Sequence, residues 1–139
     1  MSPSEVGAIP ELTPKVDPRF GELMAEALKG LIPIYFGAVP LGLCVPFDLD
    51  YRPDQHPVGA EAIRQSLEQG KSGNFQNIIV YQRGAWFVVS DDYIPFFACL
   101  SGMPDYVPCW IMGKPHSVLV KDVQGPIALS GVPGIFGLS

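Results

Sequence analysis

Two adjacent carboxylates, Asp91 and Asp92, stand where a strand-like apolar run, Trp86-Phe87-Val88-Val89-Ser90, gives way to a helical pattern. Side-chain oxygens at a helix start cap free backbone N–H groups, and clustered carboxylates suit a hard divalent cation. Mg²⁺ or Mn²⁺ held there would allow phosphoryl chemistry, whereas an unoccupied acidic turn would serve as a docking surface. The other chemistry-bearing side chains are dispersed. Arg52 and Arg83 suit a phosphate, but each also fits a solvated loop. His56 would act as a general base only beside a reacting group that spacing does not place. Cys44, Cys99 and Cys109 are odd in number and lack CxxC spacing. They read as buried small hydrophobes, and neither they nor His56 and His116 have zinc-ligand spacing. No cofactor follows from these residues.

The elements that position them belong to a chain of 139 residues, sufficient for one domain that buries about two-thirds of its unfolded surface. Its 15 Gly and 15 Pro exclude a helical bundle, because both break helix interiors. A positive mean hydropathy with 8 Phe, 5 Tyr and 2 Trp excludes a disordered chain. The net charge is −5, and no two of the nine Lys and Arg residues are adjacent, which disfavours non-specific nucleic-acid binding. The longest apolar run, 31–47, is interrupted by Pro33, Pro40 and Pro46, so no membrane span is expected. No basic segment precedes an apolar core at the N-terminus, which predicts a soluble, cytoplasmic protein.

Residues 1–16 read as an extended arm, 17–124 as the domain, and 125–139 as a Gly/Pro-rich apolar tail lying on the domain or on a partner. Asp17 and Pro18 open a helix with Phe20, Leu23, Met24, Ala27, Leu28 and Leu31 on one face, and Gly30 ends it. Short extended pieces fill 31–47, and a polar loop fills 48–57. A second helix covers about 58–69, with Ala62, Ile63 and Leu67 inward, Arg64 paired with Glu68, and Gly70 as its stop. Lys71 to Asn74 reads as a loop. Strands Gln76–Gln82 and Ala85–Ser90 flank an Arg83-Gly84 turn and are expected to be covered on both faces. A helix over Asp92–Ser101 stops at Gly102, followed by strand Tyr106–Met112 and strand-like Ser117–Val120. The fold class is α+β, a small mixed sheet with about three helices.

The order across 58–112 resembles the ParB/sulfiredoxin superfamily. That family's core runs through a helix ending in Gly, a Pro-Ile-x-Val strand, and a second strand entering a Gly-Glu-Arg-Arg-type turn. An Ala-rich helix ending in Gly and a strand begun by Val-Pro complete it. The counterparts here are Ile63 to Gly70, Gln76-Asn77-Ile78-Ile79-Val80, Trp86 to Ser90, Asp91 to Gly102, and Tyr106-Val107-Pro108-Cys109-Trp110-Ile111-Met112. Leu43-Cys44-Val45-Pro46-Phe47 to Pro53-Asp54 is similar to the family's first strand and Pro-x-x-Arg loop. The likeness spans about 70 of the 139 residues. The functional turn departs from the family. ParB proteins carry Gly-x-x-Arg-x-x-Ala and sulfiredoxins Gly-Cys-His-Arg, and the helix N-terminus and Arg hold nucleotide phosphates. Here Asp91 replaces the Gly, Asp92 the nucleophile, Tyr93 the His and Ile94 the Arg, so no catalytic residue carries over.

The resemblance therefore implies a catalytically degenerate domain, a regulatory or inhibitory protein-interaction module of the kind common on plasmids and phages. Its binding residues would be Asp91, Asp92 and Tyr93 with Asp48, Asp50 and Arg52 of the facing loop. Its partner surface would include Phe96, Phe97, Tyr106 and Trp110, because an aromatic helix is hard to bury fully in so small a domain. The alternative is a metal-dependent nucleotide phosphohydrolase or nuclease, with Mg²⁺ or Mn²⁺ bound by Asp48, Asp50, Asp91 and Asp92. The absence of a helix-turn-helix region after the core disfavours a DNA-partitioning role.

Overall fold

Asp17 opens the first helix, α1 (Pro18–Leu28), with its carboxylate accepting the Arg19 N–H and Pro18 in the first turn. This is a computed structural model, and it describes residues 13–71 and 76–128. After α1 come β1 (Ile34–Pro40), a 3-10 turn at 41–43, β2 (Cys44–Pro46) and a second 3-10 turn at 53–55. Then follow α2 (Pro57–Gly70), β3 (Ile78–Arg83), β4 (Trp86–Val89), α3 (Tyr93–Gly102), β5 (Tyr106–Met112) and β6 (Lys121–Ile127). The described residues thus contain three α-helices and one six-stranded mixed sheet, ordered β2-β4-β3-β5-β1-β6. Pairs β2–β4 and β3–β5 are parallel, and the remaining neighbours are antiparallel.

The alternating side chains of the strands divide between two cores, as period-two geometry requires. Ile78, Val80, Phe87, Val89, Val107, Cys109 and Ile111 face α2 and α3. Ile79, Tyr81, Val88, Ile34 and Met112 face α1, where Leu23 and Ala27 are buried. Complete burial of a side chain such as Phe87 or Phe96 contributes about 1.5–3 kcal/mol. The expectation of a strand pair covered on both faces describes β3 and β4 well, apart from the half-exposed Trp86 near the turn. Gly84 holds φ +62 in that turn, a backbone conformation that glycine adopts without a Cβ penalty.

Several local expectations differ. Leu28 and Leu31 are exposed, because α1 ends at Leu28 and Gly30, at φ +74, turns the chain out of helical phase. Arg64 forks onto Glu61 at 3.0 and 2.6 Å, while Glu68 is taken by Lys71 at 2.8 Å. Gly70 and Gly102 both remain helical. Met103 takes the left-handed position after α3 at φ 51, its N–H bonded to the Cys99 carbonyl at 2.7 Å. The packing register of α3 sets that end and outweighs the cost of a left-handed Met, about 1–2 kcal/mol.

Residues 117–120 form a turn, and the last strand starts at Lys121 and runs to Ile127, across the boundary expected at 124. Its Asp122 has a positive φ, its pairing with β1 is irregular, and most of it is exposed, so it lacks the alternation that marks a strand. Of the arm expected over 1–16, the loop over 71–74 and the tail over 125–139, residues 1–12, 72–74 and 129–139 lie outside the described residues.

One packing contact fixes the loop that faces α3. Gly59 in the first turn of α2 lies against the Pro53 carbonyl so closely that any Cβ would collide with backbone. Gly59→Ala is expected to cost about 1–3 kcal/mol through overpacking, read as a lower midpoint in chemical denaturation at unchanged slope.

Candidate functional site

The first turn of α3 is built from Asp91, Asp92 and Tyr93. Asp92 occupies the N-cap position, yet no side chain caps α3 there. Its Oδ2 instead accepts the backbone N–H of Ile79 at 2.8 Å, tying the helix to the start of β3. The expectation of capping is corrected accordingly: an otherwise unpaired strand N–H outcompetes the helix's own donors for this carboxylate. Burial raises the Asp92 pKa, opposed by the Ile79 hydrogen bond and reinforced by the neighbouring Asp91 charge. Asp91 is exposed.

The preceding loop folds over this turn. The Asp48 N–H donates to the Tyr93 hydroxyl at 3.0 Å, and the Tyr51 ring meets Tyr93 edge-on at 4.8 Å. Arg52 lies over the Phe97 ring at 5.9 Å, but its guanidinium is committed to Asp54 through contacts of 3.0 and 2.7 Å. Asp48 itself is buried, and its carboxylate accepts the Lys15 N–H at 2.9 Å and the Asp50 N–H at 3.0 Å. The Lys15 N–H is the largest influence holding the Asp48 pKa below the usual 3.8, against the opposing effect of burial. Asp50 is exposed, 3.8 Å from the Lys15 ammonium. The loop and turn expected to face each other therefore do so. The two carboxylates that are not exposed, Asp48 and Asp92, are nevertheless spent on separate backbone donors. Among the described residues no three His, Cys, Asp or Glu side chains are grouped to hold a metal ion.

The expected partner surface is largely interior. Phe96 is 1% exposed and Phe97 9%, because α3 packs against α2 and into the core they share with the sheet. Trp110 is half-buried, its ring edge-on to Phe36 at 4.9 Å on the α1 face. Tyr106 is the most exposed of the four, with the Lys121 ammonium 4.7 Å from its ring centre. The three cysteines are buried free thiols. Burial pushes Cys99 up to about 11 and Cys109 well above its ordinary value, which suppresses the thiolate needed for nucleophilic attack. His56 sits half-buried at the junction of the second 3-10 turn and α2.

Sequence reasoning missed a polar cluster on the opposite sheet face. The buried Asp17 carboxylate accepts hydrogen bonds from the Tyr81 and Ser90 hydroxyls, both at 2.6 Å, in addition to the Arg19 N–H. Beside it opens a cavity of about 730 Å³. The participants lie 64 and 73 residues apart in sequence, so only Asp17 announced itself, as a helix cap. Tyr81 is pushed up from 10.0 to about 12, first by burial and then by its hydrogen bond to Asp17.

Two outcomes are expected. Asp92→Ala, which orphans the Ile79 N–H, should cost about 1–3 kcal/mol, whereas Asp92→Asn keeps an acceptor and should match or exceed wild-type stability in denaturant titration. Tyr81→Phe should cost about 1.5–3 kcal/mol at neutral pH by removing a charge-assisted bond. Because the folded Tyr81 pKa lies above the unfolded one, its contribution is complete below pH 10.0 and disappears as pH rises towards about 12. The variant's stability should therefore fall less steeply than wild type across that window.

No protein-family model matches the chain, and no curated protein matches it either.

Proposed function

We propose that the protein is a regulatory or inhibitory protein-interaction module on a ParB/sulfiredoxin-like core whose phosphate-holding turn has become structural. One observation carries this reading: the Asp92 carboxylate, at the helix start where the family would seat a phosphate, is bonded to the Ile79 N–H at 2.8 Å. An approaching phosphate would meet the carboxylates of Asp91 and Asp92, and like charges repel it. Arg52, the cation of the facing loop, is already neutralised by Asp54.

The surface that supports partner binding is the β6 side of the sheet. Val118 is 95% exposed, Leu119 and Val123 are also uncovered, and Tyr106 stands at the adjoining end of β5. In the described sheet β6 is an outer strand, with only β1 as neighbour. Apolar side chains beside an open strand edge favour association with another protein.

The second reading is the metal-dependent phosphohydrolase or nuclease, favoured by the loop of Asp48 and Asp50 lying over the Asp91–Asp92 turn. Calorimetric titration with ATP, CTP, Mg²⁺ and Mn²⁺ separates the two. The module reading expects no binding that depends on Asp92. It also expects in-cell crosslinking to recover a specific partner that is lost from a Leu119→Asp, Val123→Asp variant. Binding tighter than ~100 µM (about 5.5 kcal/mol) that Asp92→Asn abolishes would replace it with the enzyme reading.

A further inference from the structure

The α1 face of the sheet carries a feature that neither reading uses. The cavity beside Asp17 has a floor of Leu23, Ile32, Phe47 and Met112. It continues into a second hollow of about 330 Å³ over Val45, Val88 and Trp86, and the two share Phe47 and Arg83. Small-molecule sites commonly enclose about 300–1,000 Å³, mostly apolar with a few convergent polar groups. Trp86 leaves 49% of its surface uncovered at one end, a large aromatic plane that no described element covers.

The charge around this hollow is opposite in sign to that of the chain. Arg19, Arg83, Lys114 and His116 line it, against the acidic Asp17 and Glu22. Glu22 is engaged with Arg19 at 3.2 Å, and Asp17 accepts from three donors. Neither Arg83 nor Lys114 makes an ion pair with a described residue. The rim that carries Lys114 is held in place. The Gly113 N–H bonds the Pro33 carbonyl at 2.8 Å, and the His116 N–H bonds the Gln82 Oε1 at 2.7 Å. A guanidinium and an ammonium held over an apolar trough recognise an oxyanion attached to a flat apolar body.

We propose that this trough binds a small aromatic organic anion, its ring system lying on Phe47 and Trp86 and its oxyanion held by Arg83 and Lys114. The site lies on the sheet face opposite α2 and α3, so it stands or falls apart from the role of Asp92.

The test uses two fluorescent probes of nearly equal shape, 8-anilinonaphthalene-1-sulfonate and its uncharged relative N-phenyl-1-naphthylamine. With the full chain at neutral pH and low salt, the sulfonate should bind saturably at one site per chain and quench tryptophan emission. Arg83→Gln combined with Lys114→Gln should weaken the sulfonate about tenfold or more and leave the neutral probe within about twofold, since the lost interaction is charge-assisted. Trp86→Ala, at a half-exposed position, should weaken both probes. Arg64→Gln, on the outer face of α2, should change neither. Near-UV circular dichroism checks that each variant retains its packing. Equal loss of both probes in the double variant, unsaturable sulfonate binding, or no response to Trp86→Ala would overturn the proposal.

Discussion

Strand β3 is buried from both sides, and most of the architecture follows from that constraint. Ile78 and Val80 are sealed on one face, Ile79 and Tyr81 on the other. A strand with two apolar faces needs cover on each, so α2 and α3 occupy one side and α1 the other. The parallel pairing of β3 with β5 adds to the demand, because the crossover between them must carry α3 back across the sheet.

Covering both faces also encloses polar groups, and the chain satisfies them with carboxylates. Asp17 takes the Tyr81 and Ser90 hydroxyls, Asp48 takes the Lys15 and Asp50 N–H groups, and Asp92 takes the Ile79 N–H. Each joins segments distant in sequence or fixes a loop. A carboxylate accepting such bonds offsets the penalty that an unpaired buried donor would impose. Part of the acidic excess therefore serves as internal fastening. Among the described residues the four aspartates near one turn do not assemble a cation site: Asp48 and Asp92 are turned to different backbone donors, and Asp50 lies by the Lys15 ammonium.

Much of the fold was legible because it rests on local rules. The Asp17-Pro18 start of α1, the Arg83-Gly84 turn and the apolar run of β5 all follow from short-range preference. The 48–54 loop faces α3 through a contact no local rule specifies, the Asp48 N–H on the Tyr93 hydroxyl. Other features were not legible because competing partners decide them. Arg64 had two acidic neighbours within reach, and only the surrounding pairs select Glu61. Aromatic content alone could not say that Phe96 and Phe97 would be interior. β6 carries a Gly-Pro pair, a positive-φ Asp122 and no alternation, so its pairing with β1 has no local signature.

By itself, the amino-acid sequence determined the class of fold and the positions of three helices and most strands. Those properties depend on periodicity, capping and turn chemistry acting over a few residues. Tertiary structure alone decided what each carboxylate holds, which aromatics are enclosed, and where cations gather. Arg83 ends β3, Lys114 lies in the loop after β5, and Phe47 and Trp86 come from separate segments. Only the stacking of α1 over part of the sheet leaves them around one trough, since a cavity is a property of surfaces that fail to meet.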